Sequence, residues 1–202
     1  MLTLNGIPVE KTGKATSVSV AASNTANPEG ADFVCDGTAD DVQIQAAIDS
    51  LGAAGGRGYL AEGLYNIAAE VTLVDNMILC GAGQMATKLK LVATTNTNIV
   101  SATSKTGVTI CDMWFDGNEA NQTAGWFHKN AGDEEKNNNI YIIGCANVII
   151  RDVLTEEAAN NGVLFYDGTT DSNMIRVTCI DCEWHGLEIW AFGADISGCR
   201  II

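Results

Sequence analysis

The acids Asp152, Asp167, Asp171, Asp181, Glu183 and Glu188, with Asp112 and Asp116 before them, recur between runs of β-branched and aliphatic residues in the second half of the chain. Glycoside hydrolysis generally needs two carboxyl groups, about 5–5.5 Å apart for retention or about 6.5–9.5 Å for inversion. A stack of parallel strands offers both spacings: neighbouring strands lie about 4.8 Å apart, and alternate residues of one strand about 6.8 Å apart. Asp167, Glu188, Asp181 and Glu183 are the candidate catalytic acids on this ground. Aligning Gly162-Val163-Leu164-Phe165-Tyr166 with Gly186-Leu187-Glu188-Ile189-Trp190 adds a direction to the side chains. With Val163, Phe165, Leu187 and Ile189 inward, the period of two turns Leu164, Tyr166, Glu188 and Trp190 outward. Tyr166 and Trp190 then stack one repeat apart, a platform for sugar rings, whose apolar faces pack on aromatic faces while acids accept their hydroxyl hydrogen bonds. The alternative is that these aromatics lie under the polar stretch 117–138 and are simply covered.

A lyase would instead use a basic residue and acids that hold calcium. Arg151, Arg176 and Arg200 are the basic residues of this region, and on a strand Arg151 and the adjacent Asp152 face opposite sides. His128 and His185 are candidate sugar-binding or acid–base groups. His128 and Trp126 sit in residues 117–138, GNEANQTAGWFHKNAGDEEKNN, a polar stretch without periodicity between two strong strands. Loops of this length inside a compact domain are often functional. Tyr166, His185 and Trp190 complete the candidate substrate-binding set. The cysteines at 35, 80, 111, 145, 179, 182 and 199 fall mostly inside strand-like runs and read as inward-pointing core residues. Cys179 and Cys182 form one CxxC, but with His185 they supply only three of four zinc ligands, so no metal site is assigned.

These groups need a scaffold. Short strands are expected near 57–60, 64–67, 71–74, 76–80, 87–92, 98–101, 107–115, 139–143, 147–154, 162–166, 174–180, 186–190 and 194–202. The last of them repeat at about 24 to 26 residues, the length of one coil of a three-sided solenoid. An immunoglobulin-like sandwich is the alternative. Ahead of the strands, Ile44, Ala47, Ile48 and Leu51 form one apolar stripe of a helix over about 40–51, with Asp40 or Thr38 capping its start and Gly52 ending it. Residues 1–31 read as an N-terminal arm or edge strand, and 32–202 as the solenoid.

The residues Asp36-Gly37-Thr38, Asp40-Asp41, Ile44-Gln45-Ala46-Ala47-Ile48, Gly55-Gly56, Ala61-Glu62-Gly63 before Tyr65, and Leu79-Cys80-Gly81-Ala82-Gly83 resemble the pectate-lyase-like right-handed parallel β-helix proteins. That family includes many phage tailspikes and polysaccharide depolymerases. It usually has proline in the turn where Ala61-Glu62 stands. The resemblance implies an all-β fold with an N-terminal capping α-helix. It further implies action on polysaccharide as hydrolase or lyase, or else a non-catalytic glycan-binding or structural part of a phage tail or surface appendage. No cofactor is implied apart from calcium in the lyase case.

Composition narrows the partners. The 202 residues carry 11 Lys plus Arg against 25 Asp plus Glu, a net charge of −14, which argues against nucleic acid. There is no apolar run long enough for a membrane span. The opening MLTLNGIPVEKTGK lacks the features of a secretory signal, which fits a virion-associated or cytoplasmic protein. The sequence closes on Cys199-Arg200-Ile201-Ile202 inside a repeat, leaving an open coil and the expectation of a homo-oligomer, a trimer or an end-to-end dimer.

Overall fold

The computed structural model describes residues 16–123 and 136–202, and within 1–15 the backbone of an antiparallel pair, β1 (Thr3–Leu4) with β2 (Ile7–Pro8). There follow β3 (Ser17–Ala21), β4 (Phe33–Val34), α1 (Asp41–Leu51), β5 (Gly56–Leu60), β6 (Gly63–Ile67), β7 (Val71–Thr72) and β8 (Met77–Gly81). Next come β9 (Thr87–Leu91), β10 (Val100–Thr103), β11 (Thr109–Asp116), β12 (Ile140–Ile143) and β13 (Ile149–Glu156). The chain continues through β14 (Val163–Tyr166), β15 (Asn173–Ile180), β16 (Leu187–Ile189), β17 (Asp195–Ser197) and β18 (Arg200–Ile201).

From β3 onward the described strands pair in parallel and stack into three walls. Wall A runs β7-β10-β12-β14-β16, and wall B runs β4-β3-β5-β8-β11-β13-β15-β17. Wall C is β6-β9 continued by the second halves of β11, β13 and β15 and by β18. The three long strands cross from wall B to wall C by bending at one residue each: Asp112, Asp152 and Arg176 take φ of 60, 55 and 52°. A left-handed residue turns the chain without breaking the ladder on either side. Successive coils are 24 residues from Ile149 to its partner Asn173 and 22 from Asn173 to Asp195, so the repeat read from the sequence is one turn of this solenoid. The fold is a right-handed parallel β-helix, the hand that parallel crossover connections take.

Inside, like residues stack on like. Leu79, Ile110, Ile150 and Met174 form one register column, Tyr65, Leu89 and Phe115 another, and Val71, Val100, Ile140 and Val163 a third. All are fully buried. Each such side chain contributes about 1.5–3 kcal/mol relative to leaving it exposed. At Gly81 a Cβ would stand 2.4 Å from the Asp112 carbonyl oxygen of the next coil, so only glycine fits that corner.

The helix α1 closes the N-terminal end, burying Ile44, Ala47, Ile48 and Leu51 as the stripe requires. The expected helix cap is corrected: Asp40 makes no side-chain cap bond to its own helix. Its carboxylate accepts from the N–H groups of Gly37 (2.8 Å) and Asn66 (2.7 Å) instead, while Asp41 accepts from Ala68 N–H (2.7 Å) and Gln45 Oε1 from Thr72 N–H (2.9 Å). The helix thus presents side-chain acceptors to the strand groups that would otherwise lie unpaired at the end of the stack. Ahead of the helix, β3 is flanked on both sides, by β5 and β4.

Candidate functional site

Wall A carries the aromatic residues and one of the four acids. Register places Thr72, Ser101, Tyr141, Leu164 and Glu188 in one outward column and Thr103, Ile143 and Tyr166 in the next. Tyr141 and Tyr166 have ring centroids 6.5 Å apart, and Tyr166 and Trp190 6.1 Å apart in an edge arrangement. Trp190 is 63% exposed and donates from Nε1 to Glu188 Oε1 at 2.8 Å. The other carboxylate oxygen lies 3.7 Å from His185 Nδ1. Beside them opens a cleft of about 520 Å³ lined by Tyr166, Asp167, Ile189, Trp190, Ala191 and Phe192. An indole fixed by its own carboxylate, with exposed ring faces around an open cleft, can hold a sugar ring and accept from its hydroxyls.

No family model matches the chain. Mannuronan C5-epimerase AlgE6 of Azotobacter vinelandii is 42% identical over 113 residues, 46% of this chain and 13% of that protein. Among solved structures, ORF18 of Geobacillus virus E2 superposes with a TM-score of 0.69 at 21% identity, covering 91% of this chain and 36% of that one. The A-module of AlgE6 superposes with a TM-score of 0.55 at 23% identity, covering 81% of this chain and 52% of the module. The architecture shared with these structures is the right-handed parallel β-helix. The chain spans about half the length, or less, of these relatives.

Within that β-helix the four candidate acids separate. Asp167, exposed, follows β14 at the rim of the cleft, and Glu188 stands on β16 against Trp190. Asp181 and Glu183 lie at the other end of β16, in the turn that leads out of β15. There they join Glu119 and Glu157: burial, followed by the charges of Glu183, Glu157 and Asp181, raises the Glu119 carboxyl above its ordinary value. Of the sugar-binding candidates, Tyr166, His185 and Trp190 gather on wall A, whereas Trp126 and His128 lie outside the described residues. Leu164 points outward as alternation requires but is only 3% exposed, sealed between Tyr141 and Glu188 in its column. Tyr141 and Phe192 are wall A residues that sequence reasoning missed. Tyr141 could have been found from its alternate position in Ile140-Tyr141-Ile142-Ile143, whereas Phe192 lies beyond β16, where a single bridge to Thr170 leaves no run of alternating residues to read.

Under the entry to wall A runs a buried amide ladder. Asn161 Nδ2 donates to Asn138 Oδ1 (2.9 Å), Asn138 Nδ2 to Asn98 Oδ1 (3.0 Å), and Asn98 Nδ2 to Glu70 Oε2 (2.7 Å). It fixes the turns from which β10, β12 and β14 start. His185 stands one coil further on, its carbonyl accepting from Gly162 N–H at 2.9 Å.

Two of the three basic residues that a lyase would use, Arg151 and Arg176, are engaged elsewhere. Arg151 and Asp152, expected on opposite sides, touch at 2.9 Å, because the left-handed bend at Asp152 breaks the alternation. Arg176 binds the same carboxylate at 2.6 and 2.8 Å. On wall C, Asp116 is 2% exposed and paired with Lys88 (2.6 Å) and Lys90 (2.9 Å), and Lys88 also reaches Glu156 (3.1 Å) and the face of Trp114 (3.8 Å). Burial pushes the Asp116 carboxyl up, but the lysine hydrogen bonds outweigh it and the net shift is downward. Among the described residues no three His, Cys, Asp or Glu side chains are grouped to hold a metal ion. Nor is any helix there long and apolar enough to cross a membrane.

The inward reading of the cysteines needs correction at two positions. Cys35, Cys145 and Cys179 belong to the apolar interior, whereas Cys80 and Cys111 are buried yet stand outside that cluster, on the outer side of wall B.

Proposed function

We propose that this chain acts on a polysaccharide that lies along the outer side of wall A, with Trp190, Tyr166 and Phe192 against the sugar rings and Glu188 and Asp167 as the cleaving carboxyl pair. The observation that carries the reading is the Tyr141–Tyr166–Trp190 stack beside Glu188 at the edge of an open cleft. The relative named mannuronan C5-epimerase supports polysaccharide as the substrate class. In this reading one carboxyl group protonates the leaving oxygen and the other attacks the sugar or activates water. A second chemistry, proton abstraction by His185 followed by elimination, suits an acidic polymer and needs calcium to offset the charge of −14.

A panel of neutral glucans and mannuronan, assayed for new reducing ends and for unsaturated products, tests the proposal. Saturated new ends that vanish in Glu188→Gln mark a hydrolase, and unsaturated ends that vanish with a calcium chelator mark a lyase. Binding without cleavage marks a glycan-binding module, and neither binding nor cleavage on any polymer contradicts the reading.

A further inference from the structure

Cys80 on β8 and Cys111 on β11 are direct register partners. Alternation turns Leu79 and Ile110 into the core and the two thiols to the outside of wall B, where each is nonetheless only 1% exposed. Guanidinium groups are their cover. Arg57 Nε donates to Cys80 Sγ at 3.1 Å, and Arg151 Nη2 donates to Cys111 Sγ at 3.3 Å. Apolar packing of two thiols has no use for two cations, and both arginine side chains are themselves solvent-accessible, so the roof can swing open.

The groups facing the pair are Arg57 and Tyr59 from β5, Asp112 beside Cys111 on β11, and Arg151 and Asp152 from β13. The protonated Cys80 thiol also has the Gly58 carbonyl oxygen at 3.6 Å. Hydrogen bonding from the Cys111 thiol and then from Arg57 lowers Cys80 to about 6, while the same bond to Cys80 raises Cys111. A thiolate on Cys80 beside a thiol on Cys111 is the combination that thiol oxidation and exchange require. Four other cysteines are held as thiols: burial pushes Cys35 to about 12 and Cys182 to about 11, and raises Cys145 and Cys179.

We propose that Cys80 and Cys111 form a redox-active pair that closes a disulfide between two coils on reaction with a hydroperoxide. The Cys80 thiolate attacks the peroxide, the O–O bond breaks, and Cys80 becomes a sulfenic acid as hydroxide, or alkoxide from an organic peroxide, leaves. The Cys111 sulfur then displaces the sulfenic oxygen, giving up its proton; the S–S bond forms and water departs. Two electrons pass from the sulfurs to the peroxide, and a dithiol reductant returns them. The spacing of paired strands, about 4.8 Å, lies inside the Cα separation of about 4.4–6.8 Å that disulfides span.

The test treats the folded, reduced chain with a stoichiometric amount of hydrogen peroxide at neutral pH, alkylates the remaining thiols and maps peptides by mass spectrometry. The expected product links Cys80 to Cys111, two hydrogens lighter, with the other cysteines alkylated. In Cys111→Ser the reaction stops at a Cys80 sulfenic acid that dimedone traps. The wild-type oxidation rate should rise through a midpoint near 6, and Arg57→Gln should move that midpoint upward. Recovery of both cysteines as alkylated thiols, oxidation spread evenly over all seven, or a wild-type rate flat from about pH 5 to about pH 8 would overturn the proposal.

Discussion

Trp190 is held by the carboxylate of the residue two before it, and that contact was half legible in the sequence. A period of two put Tyr166, Glu188 and Trp190 on one outer side, and all three are there. The period gives direction but not accessibility. Leu164 is outward and sealed because the columns above and below it close over a short side chain, and a lone strand carries no record of what its neighbours cover. Nor does the period survive a left-handed residue, which is why Arg151 and Asp152 meet when alternation would part them. Residue type and the spacings of a strand stack group Asp181 and Glu183 with Asp167, whereas the fold places the whole of β15 between them. At this scale Trp190→Ala is expected to weaken polysaccharide binding by about 1 kcal/mol or more while leaving the circular dichroism spectrum and melting temperature unchanged, as checked by calorimetric titration.

Elements were more legible than contacts. The strand positions and the stripe of α1 follow from apolar periodicity, which packing enforces in every coil. The cap misread has a simple cause: an Asp before a helix looks the same whether it serves the helix N–H groups or those of a strand edge that sequence does not display. Ile48→Asp buries a charge between α1 and the first coil and should cost about 3–5 kcal/mol in denaturant melts, and an unchanged midpoint would remove α1 as the cap. On wall C the Asp116 carboxyl sits below its ordinary value in the folded chain. Its contribution is therefore fully present above the ordinary carboxylate value and is lost as pH falls through the folded one. Asp116→Asn should cost about 2 kcal/mol at neutral pH, a difference from wild type that shrinks in melts below about pH 4.

For the whole molecule, three walls are stacked coil on coil, and among the described residues wall A is the outer side where stacked aromatic rings, the Glu188 carboxylate and an open cleft meet. Wall B holds the covered thiols and wall C a closed ion-pair network, so wall A is the side proposed for the polysaccharide. Hydrogen–deuterium exchange with and without a binding polysaccharide reads all three walls in one experiment. Protection is expected to be confined to residues 140–143, 163–166 and 187–192. Protection centred on residues 87–91, 113–116 and 153–156 of wall C, with wall A unchanged, would contradict it.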